Sequence, residues 1–288
     1  MPMSIRPFLL IVALFALSGF TQPGLHNSTK AFTDPSDMRW SDWADPAEME
    51  RSWQAALVRI PTSRGSFDST TIAKLERGAL SPEGVWPTVI YMHGCTGFWS
   101  GTKTRIEFLA RNGYAVIAPA SLARLKYPIS CRPATHQGGL YRPTLKMRQN
   151  DAGYAIAKAK TLPWVDSSNV FLMGLSQGGI TTATFSSSRP EHSLRARIVE
   201  GWTCHAGWTE YAGVNAPESE PVLTLVGAKD PWFQQPWNRG SCGPFLSKTN
   251  GSRSVVYSKG RLSTRHELLE EREVKKTVFD FLKKHRSR

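Results

Sequence analysis

A serine hydroxyl becomes a useful nucleophile only when a base takes its proton and hydrogen-bond donors await the negative charge its attack creates. Gly174-Leu175-Ser176-Gln177-Gly178-Gly179 is the segment best suited to carry such a serine. It fits G-x-S-x-G, with an apolar run from Asn169 to Met173 ahead of it and a small-residue helical run behind. A turn this sharp needs glycines at its flanks, because a side chain there collides with neighbouring backbone. The strained turn lifts the hydroxyl above the sheet. The helix that follows points its N-terminus at the reacting centre, where its amides favour negative charge.

The partners of a serine so placed follow it in the chain as an acid and then a histidine. Of the seven histidines, His205, His266 and His285 lie far enough downstream to be considered. His266 stands in Ser263-Thr264-Arg265-His266-Glu267, between the last expected strand and the final helix, and is the expected base. His285 belongs to the basic tail Lys283 to Arg288 and reads as solvated; His205, beside Cys204 and ahead of the acid, reads as structural or pocket-lining. Asp230 is the expected acid. The apolar strand Val222 to Val226 leads into Gly227-Ala228-Lys229-Asp230-Pro231, and chemistry collects at the C-terminal ends of strands in such sheets. A carboxylate there holds the imidazole tautomer and stabilises its charged form. Glu200, after Arg197 to Val199, is the competing acid one strand earlier. The backbone amides of Cys95, in His93-Gly94-Cys95-Thr96-Gly97, and of Gln177 are the expected oxyanion donors, with His93 supporting its loop.

The elements that must position these residues alternate. Gln54 to Ile60 and Thr70 to Leu75 read as a strand hairpin, followed by strands at Thr88 to Met92, Tyr114 to Ala118, Val170 to Met173, Arg197 to Val199, Val222 to Val226 and Ser254 to Tyr257. Helical spacing appears over Lys103 to Asn112, 144 to 161, Gln177 to Ser187 and from near Glu267 to the end, where Val274, Val278, Phe281 and Leu282 form one apolar stripe. Strands alternating with helices imply an α/β protein with a mostly parallel sheet covered on both faces.

The chain's 288 residues suffice for one large domain, and 40% hydrophobic with 20% charged residues describes an ordinary globular protein. Residues 1 to 21 read as a secretion signal: Arg6, then the apolar run Phe8 to Leu17, then small and polar residues. That run is too short to span a membrane, which takes ~20 residues in a helix. Residues 22–50 read as an irregular extension and 51–288 as the catalytic domain. Export fits the four cysteines Cys95, Cys131, Cys204 and Cys242, which allow two disulfides in three connectivities. Cys204 with Cys242 is preferred because both flank the acid-bearing segment, leaving Cys95 with Cys131. No zinc-like spacing occurs, and no metal or cofactor is expected. The net charge of +13 is spread along the chain without a nucleic-acid motif and reads as a solvated basic surface, so no specific nucleic-acid partner is expected.

Taken together, His93-Gly94-Cys95-Thr96-Gly97, Asn112-Gly113-Tyr114-Ala115-Val116, the Ser176 segment, Val226-Gly227-Ala228-Lys229-Asp230 and His266 resemble the dienelactone hydrolase branch of the α/β-hydrolases. The resemblance spans residues 53 to 284 and implies the α/β-hydrolase fold, with Ser176 as nucleophile, Asp230 as acid and His266 as base. Well-known members use cysteine as nucleophile, whereas here the turn holds serine. The implied activity is cleavage of a small carboxylic ester or lactone through an acyl-enzyme. The alternatives are a peptidase or amidase, a silent binding protein of the same fold, or catalysis by Cys95. Trp99, Trp202, Trp208, Trp232, Phe233 and Trp237 are candidate pocket aromatics, and Arg124 and Arg132 candidate contacts for a substrate carboxylate.

Overall fold

The computed structural model describes residues 32–62 and 65–287, so the signal segment lies outside the described residues. Eight strands form the main sheet: β1 (Leu57–Pro61), β2 (Phe67–Thr71), β3 (Trp86–Met92), β4 (Ala115–Ala118), β7 (Val165–Leu175), β8 (Ala196–Glu200), β9 (Val222–Gly227) and β10 (Arg253–Tyr257). Their order is β10-β9-β8-β7-β3-β4-β1-β2. The six strands from β10 to β4 run parallel, and the β1–β2 hairpin closes one edge antiparallel. This is the mostly parallel α/β sheet expected, and the helices α1 (Pro46–Gln54), α2 (Ile72–Glu76), α3 (Ser100–Arg111), α4 (Thr144–Ala159), α5 (Gln177–Thr184) and α6 (Arg272–His285) surround it.

Side chains alternate across the pleat, so one strand feeds two cores. In β3, Val89 and Tyr91 join α3 and α6 through Ile106, Leu109, Val274 and Val278. Ile90 and Met92 face the other way and pack with Ala152, Ala155 and Ile156 of α4. The central strands are buried on both faces, which explains their nearly continuous apolar sequence.

Several boundaries differ from the sequence expectation. α1 begins inside the stretch read as irregular up to residue 50 and runs on through Gln54, the expected first residue of the first strand; its own first residue is Pro46, and the Asp45 carboxylate ahead of it accepts from the Ala47 amide at 2.8 Å. The second hairpin strand ends at Thr71, where α2 begins. The final helix starts at Arg272 rather than near Glu267; the intervening Leu268 and Leu269 amides donate to the Glu200 carboxylate. A small ribbon of β5 (Cys131–Arg132) and β6 (Gln137–Gly138) was not anticipated; two residues per strand leave no period to read.

Four of the arginines lie inside the protein rather than on its basic surface. Arg105, Arg148 and Arg197 are fully buried and Arg124 nearly so. Three of them pair with buried carboxylates at 2.6–2.7 Å: Arg105 with Glu200, Arg124 with Asp151 and Arg197 with Glu220. Arg124 is therefore neither exposed nor free to meet a substrate.

Candidate active site

The turn between β7 and α5 shows why glycines flank Ser176. A Cβ on Gly174 would lie 2.2 Å from the Gly178 carbonyl oxygen, and one on Gly178 would lie 2.0 Å from the Met92 oxygen. Ser176 itself has φ 57° and ψ −119°, a conformation that side chains rarely adopt. Its amide donates to the Glu200 carbonyl at 2.9 Å, which ties the turn to β8.

Asp230 follows β9, and its side chain is wholly buried. Its Oδ1 accepts from the Trp232 amide at 3.0 Å, while Oδ2 lies 2.7 Å from His266 Nδ1. With a carboxylate facing Nδ1, that nitrogen is the donor, which leaves Nε2 as the basic position. His266 Nε2 is buried and has no hydrogen-bond partner among the described residues. The ring stacks on Trp232, with centroids 5.2 Å apart, and tilts against Phe233 at 5.7 Å. No hydrogen bond joins Ser176 Oγ to His266 in this structure, yet both adjoin Glu200-Gly201. A Cβ on Gly201 would meet His266 Cε1 at 3.2 Å, and Ser176 is bonded to the residue before it.

Glu200, the rival acid, is committed elsewhere. Its Oε1 accepts from Arg105 Nη2 at 2.6 Å and from the Leu268 and Leu269 amides at 2.7 and 2.8 Å, and its Oε2 from Arg105 Nε at 2.8 Å. Burial pushes its pKa up, but Arg105 and these amides outweigh that and hold the carboxyl below its ordinary value. Glu200 thus anchors the loop two residues beyond His266. Its role depends on Arg105, far away in sequence, and only the fold brings them together.

Cys95 and Gln177 both border the cleft that contains Ser176. Neither amide meets a described acceptor. His93 lies behind this loop: Nδ1 is 2.7 Å from the Gly94 carbonyl, and Nε2 accepts from the Ser121 amide at 3.2 Å. Burial, and then the charge of Arg148, hold its pKa well below the ordinary histidine value, so it is neutral. His205 is half-buried and bonds the Ser241 carbonyl at 3.2 Å. His285 packs on Phe281, with centroids 4.5 Å apart, rather than standing free in solvent.

The cleft encloses about 820 Å³. Trp202, Trp208, Trp232, Phe233 and Trp237 line it, as does Arg132, and among the described residues no Asp or Glu does. Trp99 instead caps α3 and stands against Gly101. Two disulfides hold the walls. Cys95–Cys131 joins the His93–Gly97 loop to the β5–β6 ribbon, and Cys204–Cys242 joins the segment after β8 to the loop beyond Asp230, the connectivity preferred from the sequence. Among the described residues no group of His, Cys, Asp and Glu is arranged to hold a metal ion. No described helix is long and apolar enough to cross a membrane.

A mostly parallel sheet with a serine on a strained strand-to-helix turn defines an α/β-hydrolase. Residues 76–239 match the dienelactone hydrolase family. The chain belongs to that family, a branch of the α/β-hydrolase superfamily, and is a hydrolase by that membership. Among solved structures it is similar to a protein assigned as a dienelactone hydrolase from Klebsiella pneumoniae subsp. pneumoniae, with 19% identity and a TM-score of 0.52 over 71% of this chain and 88% of that one. It is also similar to Est1E from Butyrivibrio proteoclasticus, with 15% identity and a TM-score of 0.48 over 80% of this chain and 98% of that one. At 19% identity the likeness to the first of these is one of fold alone. No curated protein matches the chain.

Arg148 is a buried residue next to the site that the sequence did not single out. It lies on α4 and bonds the His93 carbonyl at the start of the His93–Gly97 loop, and nothing local distinguishes it among 36 lysines and arginines. The helix α1 did carry a signal, Asp45-Pro46-Ala47-Glu48, in which a capping acid, a first-turn proline and a first-turn glutamate coincide.

Proposed function

We propose that this protein is an exported serine hydrolase that cleaves small carboxylic esters or lactones through an acyl-enzyme on Ser176. The observation that carries the reading is the 2.7 Å contact of Asp230 with His266 Nδ1, which leaves the buried Nε2 unpartnered beside the Ser176 turn. His266 Nε2 takes the Ser176 proton as the oxygen attacks the ester carbonyl. The Cys95 and Gln177 amides receive the oxyanion; one such donor is typically worth ~3 kcal/mol. His266 then protonates the leaving alkoxide, and water activated by the same nitrogen releases the acid. Asp230, fully buried, stabilises the imidazolium at each stage. The two disulfides support the exported location, since such bonds persist in oxidising compartments.

The test is a fluorophosphonate probe on the purified protein, with the adduct located by mass spectrometry and Ser176→Ala as control. The expected result is labelling at Ser176 that the substitution removes, together with ester turnover that falls by at least about a thousandfold. Folded protein that neither labels nor turns over any ester or lactone of a broad panel overturns the reading.

A further inference from the structure

Arg148 is buried completely, and no described carboxylate pairs with it. A buried lone charge is costly, so its neutral partners are informative. Its Nη2 donates to the His93 carbonyl at 2.6 Å, and its Nη1 lies 3.4 Å from Gln177 Oε1. Nη1 also stands 3.3 Å from His93 Nδ1, but that nitrogen carries the proton given to Gly94, so Nη1 is left for Gln177. Tyr127 Oη at 3.4 Å and Ser130 Oγ at 3.3 Å approach the same Oε1.

Three donors around one amide oxygen fix the orientation of the amide. Arginine cannot accept, so the oxygen must face it and the NH₂ must face away. Gln177 Nε2 has no acceptor among the described residues and is not among the buried unpartnered atoms, and the side chain borders the cleft next to Ser176. A cationic partner on the oxygen also polarises the amide and makes its N–H groups stronger donors.

We propose that the Gln177 side chain is a substrate-contacting donor. Its NH₂ receives an acceptor oxygen in the acyl part of the ester, and Arg148, Tyr127 and Ser130 are the positioning residues that aim it. The inference rests on the ester-hydrolase reading of Ser176. The acyl side follows from the chemistry: the leaving alkoxide must lie by His266, which protonates it and packs on Trp232 and Phe233. Gln177 is held by a separate set of residues. The favoured class is esters with an ether, hydroxyl or keto oxygen one or two atoms from the scissile carbonyl. A site that offers a fixed donor disfavours the analogue lacking the acceptor.

The test compares kcat/KM for p-nitrophenyl methoxyacetate and p-nitrophenyl butyrate, which share a leaving group and acyl length. Each value is divided by the ester's hydroxide-catalysed rate to remove intrinsic reactivity. In Gln177→Leu the methoxyacetate-to-butyrate ratio should fall by roughly threefold to tenfold, the range of one neutral hydrogen bond. Tyr127→Phe, which removes one aiming contact and keeps the ring, should lower it by about twofold, and its thermal melt shows whether the fold is kept. An unchanged ratio in folded Gln177→Leu overturns the inference; if that variant does not fold, an unchanged ratio in Tyr127→Phe does so. Wild-type protein that labels at Ser176 and cleaves both esters confines such a failure to this inference. Wild-type protein that does neither overturns both readings.

Discussion

At the scale of the residue, the site is built from buried polar groups, most of which meet a defined partner, with His266 Nε2 left open. Glu200 shows what one missing partner does. Glu200→Gln removes the bidentate counter-charge of Arg105, leaving only the longer 3.9 Å contact with the part-exposed Glu267, and loosens the amides that follow His266. Unpairing a buried ion pair costs about 3–5 kcal/mol. The variant should lose about that much in urea unfolding, and its kcat should fall more than its KM changes because the imidazole, not the cleft, is displaced. The folded pKa of Glu200 lies below the ordinary value of 4.5, so the stability it confers is present at neutral pH and is lost as pH falls through and below that range. His93 acts at higher pH. Its folded pKa lies well below 6.5, so the unfolded chain binds the extra proton first and stability declines as pH drops below about 6.5. One such proton contributes a slope of up to about 1.4 kcal/mol per pH unit. Unfolding free energies measured between pH 7 and 5 should therefore have a shallower slope in His93→Gln.

At the scale of the element, the turn between β7 and α5 concentrates strain on the proposed nucleophile. A residue in a sparsely populated backbone region costs of order 1–3 kcal/mol. Ser176→Gly should thus be about 1 kcal/mol more stable than Ser176→Ala while both are inactive, as differential scanning calorimetry of the pair will show. Gly178→Ala should do the reverse. Its Cβ would stand 2.0 Å from the backbone oxygen of Met92, so β3 must move, at a cost of about 3 kcal/mol or more. A Gly178→Ala protein as stable as wild type would mean that the turn is looser than its geometry states.

At the scale of the whole molecule, two disulfides tie the cleft walls to the strand ends. They join residues 36 and 38 positions apart, and closing loops of that length is worth about 4 kcal/mol each in the chain-entropy account. Reduction should lower the guanidinium midpoint markedly. Breaking Cys95–Cys131 alone, by Cys95→Ala with Cys131→Ala, should reduce kcat as well as stability, because Cys95 supplies a proposed oxyanion donor. Equal losses of stability but no loss of kcat would separate the bond from the chemistry.

The elbow, the Asp230–His266 order and the alternation of strands and helices were legible in the chain because each depends on near neighbours or on chain order. Gly174, Gly178 and Gly179 announce a tight turn by themselves, and an apolar strand ahead of Asp230 marks a strand end. Local capping likewise marks α1 at Asp45-Pro46. What the sequence could not determine depends on partners distant along the chain. Glu200 resembled a second acid until Arg105 and the Leu268 and Leu269 amides closed around it. Arg124 resembled a surface cation until Asp151 met it in the interior. Arg148 resembled nothing in particular, because an arginine acquires meaning only from what it is buried against. Backbone turns are decided by the steric limits of a few consecutive residues, whereas the role of a buried charge is decided by the tertiary structure, which alone sets its distance from every other charge and dipole.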